Sequence, residues 1–161
     1  KTIIRTTEIL LANPDDYDAR AEFAWAATMA LNGLTYVGTA GYSYPNHMIE
    51  HAMSAVTDCA HGAGLSVVMP AWMKWYKDRN LGVFERFARG IFGLKTADEG
   101  IEALKAWFDK IGTPTRLSQL KIDSEALIDE IAGVAYENAK AWAMQELYPK
   151  KNIVQILELA K

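Results

Sequence analysis

All three histidines of this 161-residue chain fall within one stretch, Asn46 to Pro70. Histidine is the commonest metal ligand among side chains and titrates nearest neutral pH, so the cluster points to metal binding or proton transfer. His47 and His51 are four residues apart. On a helix they share one face with Cβ atoms about 6 Å apart, a spacing that could grip a single ion. His61 lies fourteen residues beyond His47. That is close to four helical turns, which places it near the same stripe but about 21 Å further along a continuous helix. Metal–nitrogen bonds are about 2.0–2.1 Å long. His61 therefore joins either neighbour at one ion only if the helix breaks and the chain folds back. Gly62 and Gly64 tolerate the backbone angles of a sharp return, so the break is expected at His61-Gly62. The alternative leaves His51 as a satisfied core histidine and His47 as a surface residue after Pro45-Asn46.

The elements that must position these residues read as helices throughout. The first covers Ile4, Ile9 and Leu11 and opens without a capping side chain, which suggests further chain upstream of Lys1. Asn13-Pro14-Asp15-Asp16 ends it and caps a second helix over Tyr17–Leu31, which closes at Asn32-Gly33. Its many alanines read as a buried packing helix. Leu34 to Pro45 is a loop rich in glycine and aromatics, of the kind that shapes a pocket or merely crosses the surface. In the histidine helix, Met48, Ala52, Ala55 and Val56 form an apolar side and Glu50, Ser54 and Asp58 a polar one. Leu65–Tyr76 reads as a mostly buried helix kinked at Pro70, with Trp72 and Trp75 as core anchors rather than ligand stackers. Val83–Phe92 carries a Phe84/Phe87/Ile91 stripe. Thr96-Ala-Asp98-Glu99 is a capping-box signature for a helix to Ile111, burying Ile101, Leu104, Ala106, Trp107 and Phe108 in large part. Pro114 favours an extended approach through Arg116-Leu117. Asp123 or Ser124 then caps a helix over much of Glu125–Leu147, and a short one follows at Ile153–Ala160. No alternating strand, GxGxxG, phosphate loop or internal repeat is present. The expected fold is all-α, a single 1–161 domain of about seven or eight helices.

Composition narrows the function. Half the residues are hydrophobic and 23% are charged, the profile of a globular chain. Seventeen Lys and Arg against twenty Asp and Glu give a net charge of −3. With no dense basic patch, nucleic acid and anionic membrane are not expected partners. One cysteine, Cys59, excludes an internal disulfide and suits a reducing, cytoplasmic setting. No apolar run reaches the roughly 20 residues that span a bilayer, and no signal-peptide pattern appears.

Several motifs carry a resemblance over essentially the whole chain. They are Asn13-Pro14-Asp15-Asp16-Tyr17-Asp18-Ala19-Arg20, Trp25 to Gly33, His47-Met-Ile-Glu50-His51, His61-Gly62-Ala63-Gly64-Leu65, Pro70-Ala71-Trp72-Met73, Phe108 to Pro114, and Ile153 to Ala160. The sequence resembles the C-terminal helical domain of the iron-containing (group III) alcohol dehydrogenases, in the butanol-dehydrogenase-like branch of the dehydroquinate-synthase-like fold. The resemblance implies one divalent ion, usually iron and sometimes zinc, held by an Asp and three His. His47 and His61 match two of those ligands. His51 matches a residue beside substrate and nicotinamide, with a role in proton relay. The other two ligands and an N-terminal NAD- or NADP-binding domain belong upstream of Lys1 in the family. The implied activity is interconversion of an alcohol with an aldehyde or ketone, in a protein often assembled as a homo-oligomer. The isolated 1–161 piece is expected to be inactive and to bind metal weakly.

Around this site Glu50 and Asp58 are within sequence reach as groups that orient a ligating ring. A helical Glu50 points about 100° away from His51, however, and either acid reads equally as a solvated surface group. Cys59 reads as a small buried residue rather than a nucleophile. Two other readings stay open. One is a different polyol dehydrogenase on the same architecture, although the uncharged Thr35–Tyr44 segment favours a neutral alcohol over a phosphorylated substrate. The other is a helical interaction module whose histidines are structural or vestigial.

Overall fold

The computed structural model describes residues 1–38 and 43–161. The described residues form eight α-helices and no strand, as expected, in two compact units, Lys1–Ser43 and Tyr44–Lys161. None of these helices is long and apolar enough to cross a membrane.

The first unit holds α1 (Thr2–Ala12) and α2 (Tyr17–Leu31), followed by a 3-10 turn at Leu34–Tyr36. Lys1 gives α1 no side-chain cap, whereas the Asp16 carboxylate accepts the Ala19 N–H at 2.8 Å to cap α2. The two helices pack on each other and are tied by an Arg5–Glu22 ion pair. The expectation that α2 is buried is overturned. Only Ala19 is buried on it, while Trp25 is 64% and Leu31 71% exposed. The reason is compositional: the alanines are spread around all sides of the helix, so no single apolar stripe exists to be covered. Of the glycine- and aromatic-rich segment expected as a loop that shapes a pocket or merely crosses the surface, residues 39–42 lie outside the described residues.

The second unit contains the histidines. Its helices are α3 (Pro45–Thr57), α4 (His61–Tyr76), α5 (Leu81–Phe87), α6 (Ala97–Lys110), α7 (Glu125–Ala141) and α8 (Lys150–Glu158). Pro45 opens α3, where its missing N–H is no loss because the first helical amides have no partner anyway. The capping box at α6 forms as expected, with the Thr96 N–H donating to Glu99 at 2.9 Å and the Glu99 N–H to Thr96 Oγ1 at 3.2 Å. Ser124 rather than Asp123 caps α7, accepting the Leu127 N–H at 3.2 Å. That helix ends six residues before Leu147, and Ala143 then takes a left-handed φ of 56°. The expected Val83–Phe92 helix is α5 continued by a π-helical turn, Ala88–Phe92.

Helix α4 sits between two cores and runs through Pro70 without interruption. On one side Val67, Val68 and Ala71 join Met48, Ile49, Ala52 and Met53 of α3, the Ile128–Ala139 face of α7, and Ile153, Ile156 and Leu157 of α8. On the other side Met73 meets Phe84, Ala97, Ile101 and Leu104. Trp72 packs against both cores and donates its indole N–H to Tyr148 at 2.9 Å, and Trp75 donates to Gln155 at 3.2 Å. Both tryptophans are anchors, as the sequence suggested. Ala55 and Ala106 are exposed, contrary to their assignment to apolar faces: Ala55 falls at the edge of its stripe, and Ala106 lies about 180° around α6 from buried Ala97.

One glycine marks the tightest packing in the second core. A Cβ on Gly100 would lie 2.5 Å from the Ala88 Cβ and 2.8 Å from its Cα. Backbone cannot yield as a side-chain tip does. Gly100→Ala is therefore expected to destabilise the chain by about 1–3 kcal/mol. Gly82→Ala, where nothing lies within 4 Å, should stabilise it by about 0.4–1 kcal/mol by restricting the unfolded chain. Urea unfolding of the two variants checks both signs.

Candidate functional site

The fold-back demanded by the histidine spacing is present, but it is built elsewhere than expected. Helix α3 ends at Thr57, and Asp58 takes a left-handed conformation with φ 55°. Helix α4 then starts at His61 itself, so Gly62 and Gly64 lie inside a helix and not in the turn. Aspartate is one of the few non-glycine residues that visits this conformation readily. The Asp58–Ala60 connection thus needs no glycine and frees Gly64 for another purpose.

The return brings the three imidazoles together. Each offers one ring nitrogen, and the three donor atoms lie within 4.8 Å of one another. Ring centroids are 6.0 Å apart for His47–His51, 5.1 Å for His47–His61 and 5.3 Å for His51–His61. Two ligands on opposite sides of one ion would stand about 4.2 Å apart and tetrahedral ones about 3.4 Å. The three donor atoms are thus grouped closely enough that they could hold a shared divalent ion, with the rings drawn together from these positions. His51 is exposed rather than a core histidine, and its ring meets the edge of Trp142 at 5.6 Å. Tyr44 packs edge-on against His47 at 5.5 Å.

Behind His61 stands Glu50, one of the two acids that the sequence left open as either a ring-orienting group or a solvated surface group. Glu50 is fully buried, although it was grouped with a solvated polar side. One of its carboxylate oxygens contacts His61 Nδ1, and the other accepts the Ser54 hydroxyl. Ser54 Oγ also lies 3.1 Å from the Cys59 carbonyl and 3.8 Å from its sulfur. A Cβ on Gly64 would come within 2.7 Å of Glu50 Cγ and Oε1, so the carboxylate occupies the space that only glycine leaves open. The missed signal was the i, i+3 relation of Glu50 to His47, which puts it on that histidine's side of the helix, whereas comparison with His51 alone pointed outward. Asp58 is the exposed acid, and half-buried Cys59 packs against the core beside Ser54.

The site is pinned from both sides. Asn138 of α7 donates to the Met48 carbonyl at 3.3 Å, holding the first turn of α3. Buried Ser66 donates to the Pro114 carbonyl at 2.6 Å, fixing the start of α4 to the segment after α6. A pocket of about 510 Å³ lies in the first unit, and its lining, which includes Trp25 and Met29, offers one carboxylate, Glu22, and no imidazole.

A helical domain built around convergent imidazoles is the class that fold and site define. Residues 1–161 match the C-terminal part of the Fe-containing alcohol dehydrogenase family. The chain is 34% identical over 167 residues to a probable NADH-dependent butanol dehydrogenase 2 of Bacillus subtilis, covering 98% of this chain and 42% of that protein. It is 30% identical over 132 residues to an NADPH-dependent aldehyde reductase of Escherichia coli, covering 78% of this chain and 34% of that protein. The crystal structure of an NADH-dependent butanol dehydrogenase A from Thermotoga maritima superimposes with a TM-score of 0.91 at 41% identity, over 99% of this chain and 43% of that one. The chain belongs to the Fe-containing alcohol dehydrogenase family and corresponds to its C-terminal, helical part. It spans about two fifths of the length of these two butanol dehydrogenases.

Burial holds the His47 imidazole below its ordinary value of 6.5, reinforced by the neighbouring His61 and His51 and opposed by Glu50. The folded chain thus favours neutral His47. With the folded pKa depressed, the unfolded chain binds the proton first as pH falls. Stability contributed by neutral His47 is complete above pH 6.5 and declines as pH drops below it toward the folded value. In NMR titrations of the metal-free chain, His47 should protonate below pH 6.5. In His47→Gln the corresponding part of the acid-side loss of stability should disappear.

Proposed function

We propose that this chain is the metal- and substrate-binding domain of an iron-dependent, NAD(P)-linked alcohol dehydrogenase that interconverts a small, uncharged alcohol with its aldehyde or ketone. The observation that carries the reading is the convergence of three imidazoles from two helices at one point. His47 and His61 hold the ion. Ligation requires neutral imidazole, and the depressed His47 pKa keeps that ring ready at neutral pH. The family resemblance assigns the remaining Asp and His ligands to the part of the relatives' length that this chain does not span. When bound, the divalent ion supplies Lewis acidity toward a substrate oxygen.

The residues of this chain supply placement and proton transfer. His51, exposed beside the other two imidazoles and steadied by the edge of Trp142, exchanges a proton between the substrate hydroxyl and water. Tyr44 and Trp142 give the site apolar borders on the His47 and His51 sides. The segment Thr35–Tyr44 carries no charge, which favours a neutral alcohol over a phosphorylated one. A dinucleotide needs a strand, a glycine-rich turn and a helix N-terminus. No strand occurs among the described residues. Nucleotide binding is therefore assigned to the N-terminal domain of the complete protein, together with hydride transfer.

Two measurements test the reading. Titration of the chain with Co2+, a spectroscopic substitute for iron or zinc, should show weak binding of one ion, lost in His47→Ala and His61→Ala and kept in His51→Ala. In protein extended by the N-terminal domain, His51→Ala should lower turnover by about 10²–10⁴-fold with metal content unchanged. Absence of metal from that extended protein would leave the histidines structural, the role expected of an interaction module. Residues 1–161 alone should reduce no aldehyde with NADH or NADPH, and detectable reduction would overturn the assignment of the nucleotide site.

A further inference from the structure

We infer that Glu50 is the positioning residue of His61. It fixes the imidazole as the Nδ1–H tautomer and turns Nε2 toward His47 and His51, and Gly64 is the residue that makes room for it. The inference rests on the metal-centre reading for its purpose but not for its geometry. Glu50 is fully buried, yet it stands against an imidazole whose side chain is 48% exposed. The carboxylate thus supports the ring from the protein side while the far edge of the ring meets solvent. An ionised carboxylate only accepts hydrogen bonds. With Glu50 accepting, the hydrogen of its contact with His61 lies on Nδ1. The other nitrogen, Nε2, keeps its lone pair for a ligand.

Three contacts stop the carboxylate from turning away. Ser54 donates to Oε1, one helical turn along α3. The backbone of α4 closes over Glu50 at Gly64, where any Cβ would overlap Cγ and Oε1 at 2.7 Å and Cδ at 3.1 Å. The Ser54 hydroxyl is itself within 3.1 Å of the Cys59 carbonyl in the α3–α4 connection. Ligand position is thus coupled to the reversal between the helices. Histidines that bind metals commonly donate their second ring N–H to a carboxylate, and losing such a partner typically lowers metal affinity by about 10–100-fold.

The test is made on the metal-free 161-residue chain above pH 8. Long-range 1H–15N correlations report which ring nitrogen bears the hydrogen. His61 should be the Nδ1–H tautomer in the wild type and in Glu50→Gln, whose amide oxygen can still accept while its NH2 donates to Ser54. It should change toward Nε2–H in Glu50→Ala. The same change is expected in Gly64→Ala, which keeps every functional group and displaces only the carboxylate. An Nε2–H wild-type ring overturns the proposal without recourse to any variant, and so does a folded Glu50→Ala or Gly64→Ala with an unchanged ring. Co2+ titration should then show affinity about 10–100-fold weaker in Glu50→Ala. A wild-type chain with the Nδ1–H ring that takes no ion, alone or with the N-terminal domain, removes the metal reading while the positioning role stands.

Discussion

A carboxylate with no solvent exposure, set against a histidine, is the contact on which the rest of the histidine unit depends. Burying a carboxyl group without hydrogen-bond partners is unfavourable, and burying one that is hydrogen-bonded is tolerable. Glu50 meets that condition only because His61 and Ser54 both reach it. Those donors come from different elements, so the carboxylate is satisfied only when α3 and α4 lie side by side in one register. The chain reversal at Asp58, the glycine at 64 and the first residue of α4 are parts of one solution to that requirement.

The apolar structure serves the same end at longer range. Helix α4 carries His61 at its start and contributes to both cores further along, through Val67, Val68 and Ala71 on one side and Met73 on the other. An imidazole on a rigid helix end is better held than one on a loop, because its backbone is fixed by packing several turns away. Pro70 lies within α4 and does not end it. Asn138 and Ser66 lend side-chain hydrogen bonds where the helix ends need support, one to α3 and one near the start of α4. The α1–α2 unit is differently made, with alanines on every side and large apolar residues such as Trp25 and Leu31 left exposed. It is held by mutual packing and the Arg5–Glu22 pair rather than by a core of its own.

Much was legible in the residues themselves. Helix limits set by local chemistry were readable at the Asp16 cap and the Thr96–Glu99 box. The all-helical class and the need for a fold-back between His47 and His61 followed from periodicity and bond length alone. The end of α7 was less legible, because nothing in the residues from Ala141 to Leu147 forbids another helical turn, and Ala143 turns left-handed for reasons outside its own sequence.

The sequence by itself determined which groups could do chemistry and that a shared ion would require the helix between them to break, because residue identity and helical rise are local properties. Only the tertiary structure decided how they meet. The reversal fell on Asp58 rather than on the glycines, since an aspartate can take the left-handed angle while only a glycine can admit the Glu50 carboxylate against α4. Glu50 became buried, and α2 did not, because burial depends on what a second element presents to a side chain. That is a pairwise property, and no single stretch of sequence contains it.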